Sequence, residues 1–174
     1  GIYNLSSGSI TITEGMVNSN DNNSYGIYNV SSGNITIEGG IISSSSDSGY
    51  ASYGLYNVGG GNITVEGGIV SSSSSGGSYG ESYGIYNASN GNVIVKVGTV
   101  SSSNSNSSSA VGYCYGIYNY SSGNVIVEGG EISSSSNNYH AHGIYNYGKG
   151  NVIIEDGIVN SSVSSEYGYS YGIY

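Results

Sequence analysis

The chain has 174 residues, enough for one domain with a buried core, and contains 31 Gly, 20 Tyr and no Pro, Trp or Phe. Eleven acidic residues against two lysines, Lys96 and Lys149, give a formal charge of −9 with no Arg. This argues against nucleic-acid partners and anionic membrane surfaces, both of which need cationic side chains. No apolar run is long enough to cross a bilayer, so membrane insertion is not expected. The single Cys114 excludes an internal disulfide framework. Low charge with abundant Ser and Gly would ordinarily point to disorder, but the Ile and Val residues recur at regular positions and so can be buried together.

The tetrapeptide Gly-Ile-Tyr-Asn begins at Gly1, Gly26, Gly84, Gly116 and Gly143. It recurs as Gly54-Leu55-Tyr56-Asn57 and is cut off at Gly172-Ile173-Tyr174. Self-similarity at this period marks a solenoid, a propeller or an array. A glycine ruler subdivides each repeat, as in Gly26, Gly33, Gly40 and again in Gly54, Gly61, Gly68, always seven residues apart. The distance from the third glycine to the next repeat varies between 11 and 18 residues. Two segments per repeat are therefore rigid in length, and a third absorbs insertions in a surface loop.

In the first segment Ile27 is expected to point inward and Tyr28 outward. The second has the period of two of a half-buried strand: Ile35 and Ile37 on one face, Thr36 and Glu38 on the other. Its equivalents Ile10/Ile12, Ile63/Val65, Val93/Val95, Val125/Val127 and Val152/Ile154 are all β-branched, which suits a packed pleated surface. In the third segment Ile42, Val70, Val100, Ile132 and Val159 are the inward candidates, each followed by a Ser-rich tract, and Ser71 to Ser82 and Ser101 to Gly112 are read as variable loops. Three short strands per repeat predict an all-β, right-handed parallel β-helix of about six coils in a single domain, residues 1–174. Coils start near 1, 26, 54, 84, 116 and 143, with a partial coil from 172; the hand follows the general bias of β crossovers. At about 4.8 Å per rung, six coils make a rod roughly 29 Å long. A propeller blade would need longer repeats.

Stacking converts each repeat position into a ladder. One Asn ladder is Asn4, Asn29, Asn57, Asn87, Asn119 and Asn146; a second is Asn34, Asn62, Asn92, Asn124 and Asn151. Their expected role is structural, through left-handed turns or amides bonded from rung to rung. The Tyr ladder, Tyr3, Tyr28, Tyr56, Tyr86, Tyr118, Tyr145 and Tyr174, is the best interaction candidate. It is accompanied by Tyr25, Tyr53, Tyr83, Tyr115 and Tyr171, with His142 in the same column. Ring-on-ring stacking, a protein contact and a sugar platform all fit it. Outward Ile94, Ile126 and Ile153 form an apolar stripe suited to lateral contact. Glu38, Glu66, Glu128 and Glu155 form a like-charge row interrupted by Lys96. Calcium would need a denser cluster of oxygens. The His140-Ala141-His142 pair lacks further ligands, and Cys114, read as lying in a variable loop, lacks a base. No metal, cofactor or catalytic residue is expected.

The unit G-[IL]-Y-N-x6-G-N-[IV]-x-[IV]-E-G-G resembles the tandem-repeat β-helix regions of bacterial surface proteins, adhesins and autotransporter-like passengers. That resemblance implies an extracellular or cell-surface location. Enzymes of this fold class use acidic and basic residues on one face, and this chain has no Arg and no coil-specific cluster of Asp, so it is expected not to be an enzyme. Both ends fall inside the repeat without polar caps. The expectation is a structural surface filament in which coils stack end to end, either as head-to-tail copies of this chain or as neighbouring repeats of a longer one. An adhesin that binds glycans through the Tyr ladder is the alternative. Ice binding is disfavoured because the outward columns are mixed.

Overall fold

The computed structural model describes all residues except 49, 78 and 107–110. Among the described residues there are nineteen β-strands and no helix. One coil consists of Ser24–Asn29, Ile35–Ile37 and Ile41–Ser46, and its three strands belong to three different sheets. Every hydrogen-bonded neighbour is the equivalent strand one coil away, so the sheets contain seven, six and six parallel strands. The chain is a β-solenoid. Ile27 pairs with Leu55, Leu55 with Ile85, Ile85 with Ile117 and Ile117 with Ile144, directly over one another.

Each middle coil contributes four fully buried aliphatic side chains, such as Ile27, Ile35, Ile37 and Ile42. Burial of one such side chain is worth roughly 1.5–3 kcal/mol before the entropy of ordering the chain is counted. The remainder of the interior is polar. The Ser-rich tracts, read from sequence as part of the variable loops, begin as strands: Ile69–Ser74 and Thr99–Asn104 pair in register, and Ser72, Ser74, Ser102 and Asn104 are buried. The loops start only after Ser74 and Asn104. Of the two tracts, 71–82 and 101–112, residue 78 and residues 107–110 lie outside the described residues.

Inward serines meet across the coil: Ser44 Oγ lies 2.7 Å from Ser52 Oγ, and the Ser72–Ser82 and Ser161–Ser170 pairs are 2.6 Å apart. The next inward position clips the loops, since Ser46 donates to the Asn22 carbonyl at 2.7 Å and Ser136 to that of Gly112 at 3.2 Å.

Asn29 also points inward. Its Nδ2 donates to Asn57 Oδ1 at 2.9 Å and to the Gly33 carbonyl at 2.9 Å. The same link joins Asn4 to Asn29, Asn57 to Asn87, Asn87 to Asn119 and Asn119 to Asn146, at 2.8 to 3.1 Å. The second ladder bonds differently. The side-chain oxygens of Asn34, Asn62, Asn92 and Asn124 accept from the backbone N–H of Asn62, Asn92, Asn124 and Asn151 in the next coil, at 2.8 to 2.9 Å. No Asn adopts the left-handed geometry considered from sequence. Among the described residues positive φ belongs to glycine alone, including the third ruler glycine of every coil, such as Gly40 at 77° and Gly98 at 97°. A residue with a Cβ would be strained at that corner.

Cys114 and Ala141 occupy the column of Ser52 and Ser82. Opposite Ala141 the buried hydroxyl of Ser134 has no hydrogen-bond partner, whereas that of Ser102 lies against the Cys114 thiol. Ala141→Ser places a hydroxyl against Ser134 and is expected to stabilise the fold by about 0.5–1.5 kcal/mol, the usual net worth of a buried hydrogen bond. A higher urea midpoint with unchanged slope is the expected readout; an unchanged or lower midpoint would refute the pairing.

Candidate functional site

The tyrosine mesh is the most extended constellation of side chains on the surface, and a backbone irregularity creates it. In Ser24–Asn29 the burial alternation breaks, because Gly26 and Ile27 both face inward. A Cβ on the equivalent Gly84 would sit 2.6 Å from the Gly116 carbonyl oxygen and 2.8 Å from a Val100 methyl, so only glycine fits this bend. Tyr25 and Tyr28 consequently emerge side by side. Repeated over the coils, this produces two interlocked columns.

Within the inner column Tyr25, Tyr53, Tyr83 and Tyr115 stack nearly parallel at centroid separations of 4.8 to 5.0 Å. In the outer column Tyr56, Tyr86, Tyr118, Tyr145 and Tyr174 do the same at 4.9 to 5.1 Å. Tyr28 meets Tyr56 edge-on, and Tyr3 is tilted on Tyr28 at 4.8 Å. Between the columns the rings from Tyr53 onward meet edge to face, as Tyr83 does with Tyr86 at 5.2 Å and 83°, whereas Tyr25 and Tyr28 are stacked at 5.0 Å and 16°. Parallel contacts within columns and perpendicular ones between them make a herringbone, an arrangement that suits ring quadrupoles.

The inner column is largely covered by the outer one: Tyr83 is 6% exposed and Tyr86 half-buried. Burial, then the neighbouring phenols, pushes the hydroxyls of Tyr86 and Tyr118 up to about 12. Tyr83 is pushed up further, by burial first and then by Glu81, whose Oε2 accepts its hydroxyl at 2.8 Å. Sequence reasoning passed over Glu81. Its signal is there in retrospect: it is the one carboxylate in the row Asn23, Ala51, Glu81, Tyr113, His140 and Tyr169, two residues ahead of a column ring.

His142 fills one place in the inner column, stacked on Tyr115 at 5.2 Å and Tyr171 at 5.1 Å. Its buried Nδ1 has no partner. Burial, and secondarily His140, holds its imidazole down at about 4. His140 lies on the same side, 6.4 Å away between centroids, and its Nδ1 accepts the Tyr169 N–H at 3.1 Å. Among the described residues no group of three or more His, Cys, Asp or Glu side chains is placed to hold a metal ion.

On the second sheet Ile94, Ile126 and Ile153 lie in one register row and continue Thr64, Thr36 and Thr11. The first two are half-buried and the last is exposed. Beside them Lys96 Nζ pairs with Glu66 at 2.9 Å and also feels Glu128, which relieves the like-charge row. Cys114 is not in a loop: it faces the core from the strand Tyr113–Asn119, its thiol donating to the Ser135 carbonyl at 2.9 Å. Burial raises its pKa, which disfavours the thiolate that a nucleophile requires. The third sheet presents a shallow trough of about 670 Å³ lined by serines, including Ser43, Ser71, Ser101 and Ser133. A smaller hollow of about 330 Å³ lies against Tyr120, Tyr147, Ser121 and Lys149, with the two rings stacked at 5.3 Å.

Comparison with protein-family models, with curated proteins and with solved structures returned no match.

The depressed His142 pKa has a definite consequence for stability. Between about 6.5 and about 4 the unfolded chain takes up a proton that the native imidazole refuses, so this group costs stability as pH falls through that window. For one proton the slope approaches about 1.4 kcal/mol per pH unit. His142→Tyr restores the column and removes this contribution. Denaturant titrations at pH 6.5 and 4.5 are expected to show a smaller loss for the variant. Equal losses would mean that His142 is not held neutral by the stack.

Proposed function

We propose that the chain is a structural β-solenoid of an extracellular bacterial surface, a rod segment whose coils stack end to end. The observation that carries this reading is how the side-chain columns are used. The Asn amides bond to, and both tyrosine columns stack on, the equivalent residues of the next coil, while the inward serines pair across the coil, so that the repeated contacts run along the rod. Stability then accrues coil by coil, as in other solenoids. A further coil, of the same chain or of a second copy, would extend the same ladders as each coil does for the one before it. A contact of one end with the opposite end of another copy is heterologous and propagates into a filament. The surface location follows the resemblance of the repeat to bacterial surface proteins.

Glycan adhesion is the second reading, and the specific observation in its favour is the Tyr120–Tyr147 pair. These rings are 50% and 63% exposed, parallel to within 8°, and flanked by serine hydroxyls and Lys149. Such a ridge of stacked aromatic edges and hydroxyls, half apolar and half polar, suits contact with the C–H and O–H groups of a sugar.

Electron microscopy and sedimentation over a wide concentration range test the first reading. Rods that lengthen with concentration are expected, and rods of one fixed length throughout would overturn head-to-tail stacking. Binding to a glycan array that is lost in Tyr147→Ala, with the fold intact, would favour the second reading instead.

A further inference from the structure

The tyrosine mesh contains one phenol unlike the rest. Tyr83 lies in the middle of the inner column, with Tyr53 at 4.8 Å on one face and Tyr115 at 5.0 Å on the other. The edges of Tyr86 and Tyr118 close over it at 5.2 and 5.7 Å. It is nearly inaccessible to solvent, yet its hydroxyl donates to a carboxylate, Oε2 of Glu81 at 2.8 Å. No other tyrosine of the two columns has a carboxylate acceptor among the hydrogen bonds of the described residues.

Phenol oxidation is governed by the fate of the proton. Removing one electron from a tyrosine makes its O–H strongly acidic, so the ring is oxidised most readily where a base within hydrogen-bond reach takes that proton at once. Rings stacked in van der Waals contact exchange electrons readily, so a vacancy created at any one of them migrates to the ring where oxidation is easiest. The mesh supplies such a path. Tyr169, 61% exposed, contacts Tyr171 at 6.4 Å, and Tyr171 contacts Tyr174 at 5.2 Å. From Tyr174 the separations are 5.0 Å to Tyr145, 5.1 Å onward to Tyr118 and 5.7 Å to Tyr83. The route bypasses the imidazole of His142, which interrupts the inner column.

We propose that the mesh conducts oxidising equivalents from solvent-facing tyrosines to Tyr83, where Glu81 takes the phenol proton and the radical is held. The oxidant is of the class of one-electron oxidants, such as oxygen-derived radicals. In the net step the oxidant gains one electron and the Tyr83 O–H bond breaks. The proton goes to the Glu81 carboxylate, leaving a neutral phenoxyl radical beside a protonated carboxyl group. Burial then shields the radical from coupling to a second ring, which exposed tyrosyl radicals undergo to form dityrosine. This activity is independent of whether the rods assemble end to end.

The test uses the intact chain with photoexcited ruthenium(II) tris-bipyridine and persulfate as oxidant. Freeze-trapped electron paramagnetic resonance reads the radical, and mass spectrometry maps dityrosine. The native protein is expected to give a persistent tyrosyl radical and few cross-links. Glu81→Gln keeps a hydrogen-bond acceptor of the same shape but removes the base. It is expected to shorten the radical lifetime about a hundredfold, the low end of what a positioned base contributes, and to raise cross-linking at Tyr167 and Tyr169. Tyr83→Phe should abolish the persistent signal. Circular dichroism and melting establish that each variant folds, and Glu81→Gln decides the matter alone if Tyr83→Phe does not. Radical lifetime and cross-link map in Glu81→Gln identical to those of the native protein would overturn the proposal.

Discussion

Vertical registry between coils is the constraint on which the other features depend, and the buried Asn29 ladder enforces it. Each amide both donates to and accepts from its neighbours along the rod, in a place where an unpaired polar group would cost about 1–3 kcal/mol. A slip of one residue would turn every side chain of a strand to the opposite face. Asn29 and its equivalents would then face water, and tyrosine rings would be forced into an interior sized for Ile and Ser. The ring separations of about 5 Å in the mesh follow from the strand spacing of parallel sheets. The aromatic array is therefore a product of the same alignment that the amides maintain.

Much of this was legible in the sequence because the constraints are local and repeated. The seven-residue glycine ruler and the Ile35/Ile37 alternation mark corners and strands without reference to any distant residue. Stacking then turns sequence columns into spatial ones, so Ile94, Ile126 and Ile153 lie in one row. The features that escaped notice required contacts across a coil or a break in alternation. Ser44 and Ser72 look like loop residues, since Ser carries little β-propensity; their burial comes from partners on another sheet, Ser52 and Ser82. The two tyrosine columns were visible, but not their interlocking, because the bend at Gly26 removes the alternation that would have separated Tyr25 from Tyr28. Glu81 was overlooked because its role exists in a single coil, and a search for repetition passes over the exception.

The interior is an unusual compromise between aliphatic and hydroxyl packing. Four aliphatic side chains per coil supply the apolar burial, while the Ser pairs and loop clips fill the remaining wedge with short, nearly rigid side chains that lose little entropy on ordering. Small side chains also let the strands of opposite sheets approach closely. The arrangement tolerates a gap in the pattern at the cost of an unpaired hydroxyl, as Ser134 opposite Ala141 shows.

Because each coil makes its contacts almost entirely with the one above and the one below, the number of coils is not dictated by the fold. Adding or removing a turn would leave the amide ladder and the aliphatic core of the remaining turns continuous. The length of such a molecule is therefore set by how many repeats are strung together, with no closing contact that fixes it.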